Sequence, residues 1–240
     1  MDFDEGESLH FINSHPEINK HYEKMYQAKG AYQWIENGDN RELLKKQLEH
    51  SSSQYLTYGY VSSAAPVWLN IMADNYPYVV REVNYDNGSF YALAKSGKEK
   101  IYTNENCRYE DGFRSSEEWI TIFEGGLRDL VESKNNVIDG KVIIDSTFGT
   151  GEIHWVWQAI DTEGNQLDWR SEKIDISENA KESFNSFFSV RLIDTNVPVE
   201  GSKVKVMLWN TEKKEVNLNN ACLRIRAGNP WLYGLQHELK

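Results

Sequence analysis

The sequence predicts an α+β chain: a small α/β unit at about 1–98, then an all-β antiparallel sandwich at about 104–228. Three observations predict this. Helical periodicity is confined to the first hundred or so residues. Beyond about residue 104, seven strand-like segments follow at roughly 8–15-residue spacing with turn residues between several of them, the pattern of a sandwich or barrel. Between the two halves, Ser96-Gly97-Lys98-Glu99-Lys100 is short, polar and charged, as a domain linker is.

The α/β unit is justified element by element. Pro16 to Ala28 forms a helical pattern with Ile18, Tyr22, Met25 and Tyr26 on one face. Asp39 and Glu42 have capping-box spacing and open a helix to about Glu49, with Leu43, Leu44 and Leu48 inward. Tyr55–Val61 is aromatic and β-branched, hence a strand. Ser62 and Ser63 stand as caps before Pro66, which opens a helix over Val67–Asn75. Tyr76-Pro77 stops it, because the residue before proline is pushed out of the α region. Val79–Val83 and Ser89–Ala94 flank Asn87-Gly88, whose tolerance of positive φ predicts a two-residue hairpin turn.

The sandwich strands are predicted at Trp119–Phe123, Lys141–Phe148, Ile153–Asp161, Leu167–Ile176, Phe184–Ile193, Lys203–Asn210 and Glu215–Ala227. Asn229-Pro230 closes the last one and leaves a tail, 229–240. In that last strand Val216 and Leu218 hold one parity, while Ala221, Leu223 and Ile225 hold the other. One inserted residue at Asn219-Asn220 restores the facing, so a β-bulge is predicted there.

Composition bounds the function. The 240 residues are 40% apolar and 26% charged, an ordinary globular balance. A net charge of −11, with no dense basic run, argues against tracking a phosphate backbone, so no nucleic-acid partner is expected. The 8 Trp, 13 Tyr and 9 Phe suit pleated faces and sugar-binding surfaces alike. Cys107 and Cys222 are the only cysteines; free, partly buried thiols are the expectation, and one bridge from the start of the second part to its last strand is the alternative. No apolar run approaches the ~20 residues that span a bilayer. The acidic opening Met1–Glu7 is no secretory signal, so the expectation is a cytoplasmic chain or a fragment cut from a larger one.

Motifs for chemistry are lacking: no Gly-x-Ser-x-Gly, no His-Glu-x-x-His, no Walker loop. Gly149-Thr150-Gly151 reads as a turn. Asp161–Asn165 alternates carboxylates but has its glycine early for a calcium loop, and reads as a solvated hairpin turn. His10, His15 and His21 have no metal-ligand spacing. No catalytic residue, metal or cofactor is therefore assigned. The aromatic set is the candidate site. Period two puts Trp155 and Trp157 on one sheet face, and Trp169, just past the turn, is their candidate cross-strand neighbour. Two readings stand: core packing, since a sandwich needs large residues between its sheets, and a flat platform for sugar rings.

The second part resembles the jelly-roll, carbohydrate-binding-like sandwiches of bacterial envelope proteins. Trp155–Asp161, Gly164–Trp169, Val190–Asp194 with Val197-Pro198, Val204–Asn210 and Leu218–Ile225 carry the resemblance. Members often end in Trp-Asn, a short charged turn and an aspartate-bearing last strand. Trp209-Asn210 and Glu212-Lys213-Lys214 fit, whereas Asn219-Asn220 stand where aspartate is expected. More faintly, Tyr55–Tyr60, Tyr76-Pro77-Tyr78 and Phe90–Ala94 look like the soluble extracytoplasmic tail of polytopic bacterial sugar transferases. The resemblances imply a non-catalytic region of the periplasm or cell envelope that binds glycan or polysaccharide and is attached to, or docked on, a membrane protein. A protein-interaction module without a ligand and an envelope hydrolase are the competing expectations.

Overall fold

The computed structural model describes residues 8–13, 32–34, 41–61, 64–145, 151–174 and 183–231. The helix expected at 16–28, His15, His21, Asp39, Ser62, Ser63, Gly149, Thr150 and the tail beyond Trp231 lie outside them. The chain forms two compact units, Met1–Ile101 with Asn229–Lys240, and Tyr102–Gly228.

The first unit is a mixed sheet with two helices. Its strands are β1 (Ser8–Asn13), β2 (Tyr32–Trp34), β3 (Tyr55–Val61), β4 (Tyr78–Tyr85) and β5 (Gly88–Ala94); its helices are α1 (Arg41–His50) and α2 (Val67–Asn75). The sheet order is β2-β1-β3-β5-β4, with β1 parallel to both neighbours and the other pairs antiparallel. β1 and β2 are strands that the sequence reading does not include. β1 pairs with distant β3 and β2 with β1, and local alternation does not reveal either pairing. α2 is buried on nearly every side, from Val67 through Ala73, so its apolar run reads as an interior helix.

The β4–β5 hairpin forms one position earlier than Asn-Gly suggested. Asp86 and Asn87 make the turn, Gly88 pairs with Tyr85, and none of the three takes a positive φ. Asn229 holds both strand ends, its side-chain amide donating to the carbonyls of Tyr85 (2.7 Å) and Gly88 (2.8 Å). The segment read as a linker is bonded to the β4 side of the sheet: Val79 N–H donates to Glu99 O at 2.8 Å and Ile101 N–H to Pro77 O at 2.9 Å.

The second unit is the sandwich. It contains β6 (Tyr102–Arg108), β7 (Phe113–Ser115), β8 (Trp119–Gly126), the single turn α3 (Leu127–Leu130), β9 (Asn136–Asp145), β10 (Ile153–Ile160), β11 (Gln166–Lys173), β12 (Phe184–Arg191), β13 (Lys203–Asn210) and β14 (Val216–Ala227). One sheet runs β11-β10-β13-β8 and the other β12-β9-β14-β6, with β7 also on β14. All pairs are antiparallel. Apart from the β10–β11 hairpin and the short β7, each connection carries the chain to the opposite sheet, giving an eight-stranded jelly roll. Alternate residues of both sheets fill the space between: Ile120, Ile122, Val204, Val206 and Leu208 from one side, Ile138, Val142, Leu223 and Ile225 from the other.

β6 escaped the sequence reading because Tyr102–Arg108 is a polar edge strand with little apolar alternation. The bulge in β14 is present. Its pairing with β9 steps from Asn219 to Ala221, and the skipped Asn220 takes φ 53° while its N–H donates to Tyr109 O at 2.9 Å. Just beyond it, Cys222 pairs directly with Cys107 on β6, and the two form a disulfide. The expectation of free thiols is thereby corrected: facing positions on neighbouring strands put the two Cβ atoms within bridging reach.

Candidate functional site

The structure divides the three tryptophans singled out from the sequence. Trp155 and Trp157 face the core, at 1% and 0% exposure. The Trp155 ring stacks on Phe188 at 5.7 Å between centroids and lies against Gly140, and its Nε1 donates to Ser186 Oγ at 2.9 Å. Trp157 Nε1 donates to Asp168 Oδ2 at 3.2 Å. Trp169 pairs with Gln158, so it stands on the opposite, outer face, 42% exposed. A shared platform of these three rings does not form. The physical reason is register. A shift at Ala159/Ile160 sets Arg170, and not Trp169, opposite Trp157.

A different aromatic set occupies the outer face of the β11-β10-β13-β8 sheet. In one transverse row, Lys173, His154, Trp209 and Trp119 lie side by side on the four strands. Trp119 and Trp209 stack with centroids 5.3 Å apart and planes 6° from parallel. His154 leans on Trp209 at 5.5 Å and 42°. Trp119 starts β8, an edge strand, and is 43% exposed. The sequence places Trp209 near the end of the strand Lys203–Asn210 and Trp119 at the start of another, and assigns neither to a site. The signal was parity: Trp209 alternates against Val206 and Leu208, and Trp119 against Ile120 and Ile122, so each points away from the core.

Charge at this end of the sheet is closely paired. Glu118 holds Lys213 at 3.0 Å. Glu152 accepts from His154 Nε2 at 2.8 Å and meets Lys173 at 3.4 Å; Glu212 meets Lys214 at 2.5 Å. Each carboxyl titrates below its ordinary range: Glu118 through the hydrogen bond and charge of Lys213, Glu152 through His154 and then Lys173, Glu212 through Lys214. A glycosidase needs one carboxyl raised so that it can donate a proton. These three are held in their ionised form, the opposite of what a proton donor requires. At the other end of β10, Asp161 accepts from the N–H groups of Glu163 and Asn165 and from the Asn165 amide, which makes it the organiser of its own turn. Glu105 lies beside Cys107 and Cys222, but the disulfide leaves neither sulfur as a thiolate ligand.

No protein-family model matches the chain, and no curated protein matches it. Among solved structures it is similar to the VP2 subviral particle of infectious bursal disease virus, at 11% identity and TM-score 0.34 over 60% of this chain and 37% of that one. It is also similar to Bacillus endospore appendages described as disulfide-linked pili, at 14% identity and TM-score 0.30 over 52% of this chain and 85% of that one. A third likeness is to the N-terminal CBM22 tandem domain of Xyn10C from Paenibacillus barcinonensis, at 12% identity and TM-score 0.33 over 65% of this chain and 47% of that one. The match to VP2 thus spans little more than a third of that protein's length, and none of the three is close enough to assign a function.

Proposed function

We propose that the sandwich is a non-catalytic glycan-binding region, and that its binding surface is the outer face of the β11-β10-β13-β8 sheet. One observation carries the reading: Trp119 is exposed at the sheet edge and held in place by stacking on Trp209. A fixed, half-open indole beside hydrogen-bonding side chains is suited to the C–H face of a sugar ring. Trp169 is a second exposed ring on the same face. Titration calorimetry of the full chain against a panel of neutral and acidic polysaccharides tests this. Binding that Trp119→Ala abolishes supports it; no heat with any polysaccharide removes it.

The same proposal includes an envelope location with attachment to, or docking on, a membrane protein. The Cys107–Cys222 disulfide supports the location, because such bonds persist in oxidising compartments. Among the described residues no helix is long and apolar enough to cross a membrane. Cell fractionation with alkylation of free thiols decides the point: a soluble cytoplasmic pool with both cysteines reduced would sink it.

A further inference from the structure

Resting on the glycan reading of this face, we infer that the site recognises a single uncharged sugar residue, seated on the outward face of Trp119. The stack itself sets this limit. Two indoles side by side in one plane cannot bring their centroids to 5.3 Å without overlapping, so Trp119 and Trp209, 6° from parallel, lie face over face. His154 occupies the other side of Trp209, following the strand order β10-β13-β8. Both faces of Trp209 and one face of Trp119 are therefore covered. Among the described residues, Trp209 is the one ring stacked on Trp119, and β8 has no strand beyond it. A ligand ring joins as the next member of the row, at the sheet edge.

Among the described residues, nothing beside it extends the platform. The next outward residue along β8 is Thr121, and across the face from it come Met207 and Val156, both buried. Trp169 belongs to the row of Gln158 and Lys205, on the far edge strand. Strand spacing of ~4.8 Å and a rise of ~3.4 Å per residue put the two exposed indoles on the order of 20 Å apart. They act as separate places.

The preference for a neutral ring follows from the ion pairs. Lys213, Lys173, Lys214 and Lys205 each already hold a glutamate, Glu118, Glu152, Glu212 and Glu124 in turn. Among the described residues, these are the lysines paired along this face, so a ligand carboxylate would compete with their glutamates and approach a chain of net charge −11.

The test uses the full chain with glucose-, galactose- and N-acetylglucosamine-based oligosaccharides of increasing length, and glucuronic acid counterparts. Binding is followed by the indole N–H resonance of Trp119. We expect affinity to change by less than about twofold with chain length, since each added unit finds no partner. Trp119→Ala should weaken binding at least about tenfold, Trp169→Ala by less than about twofold, and the acidic counterparts should bind more weakly than the neutral sugars. Thermal unfolding of both variants checks that they fold; if Trp119→Ala does not, Trp119→Phe and the wild-type N–H resonance carry the test. Affinity that climbs with each unit, an equal loss in Trp169→Ala, or tighter binding of the acidic series would overturn single neutral-residue recognition while leaving glycan binding intact. Failure of every sugar to bind would remove both.

Discussion

Arg226 Nε donates to Asp139 Oδ2 at 2.7 Å, with the two residues 2% and 0% exposed on neighbouring strands β14 and β9. Ser189 Oγ donates to the other carboxylate oxygen at 2.6 Å. A buried charge is tolerable only while paired and hydrogen-bonded. Asp139→Ala removes the buried carboxylate paired with the guanidinium and should cost about 3–5 kcal/mol. Replacing both residues together with apolar ones of similar volume should cost much less. Urea unfolding of the two variants measures the difference, and equal losses would refute the pairing as the cause.

The disulfide closes a long loop, 115 residues apart in sequence. Restricting the unfolded chain in this way contributes about 2–5 kcal/mol in typical cases. A Cys107→Ser, Cys222→Ser double variant should unfold at lower denaturant by that margin. An unchanged midpoint would mean the adjacent ladder already holds these strands together.

Core and surface tryptophans should respond oppositely. Trp155→Ala removes a ring packed on Phe188 and leaves Ser186 without its donor, a loss of about 3–5 kcal/mol. Trp169→Ala should stay within about 0.5 kcal/mol of wild type. Comparable losses at the two positions would contradict the division of faces described here.

Acid should loosen the aromatic row. Glu118 and Glu152 titrate below the ordinary value of 4.5, so their contacts with Lys213, His154 and Lys173 favour the folded arrangement above that value. That contribution fades as pH falls through the lowered folded values. Tryptophan fluorescence should therefore hold steady down to about pH 4.5 and change below it. Glu118→Gln and Glu152→Gln should flatten that change. A transition centred well above pH 5 would point to a different group.

Where local pattern carried the information, the sequence was readable. Lys203–Asn210 and Val67–Asn75 have the bounds expected of them, because alternation and a proline stop are written in adjacent residues. The bulge at Asn220 was legible from a parity reversal in one strand. The side of the sheet that Trp169 occupies was not, since it depends on a register shift beyond the turn. The Trp119–Trp209 stack was hidden for a related reason. Each ring's outward parity is local, but their contact needs β8 and β13 to be neighbours, which no short-range signal states. β1 likewise owes its strand form to β3, far along the chain, and β2 pairs in turn with β1.

β14 lies between β9 on one side and β6 with β7 on the other, and it is the last strand of the sandwich to be translated. During synthesis β6, β7 and β9 must wait for it, their backbone edges open to mispairing. Completion of the jelly roll is thus a late event with long sequence separations, a topology that folds slowly and leaves time for aggregation. A ribosome stalled before residue 216 would display those edges, and such nascent chains should recruit holding chaperones that the finished sandwich ignores.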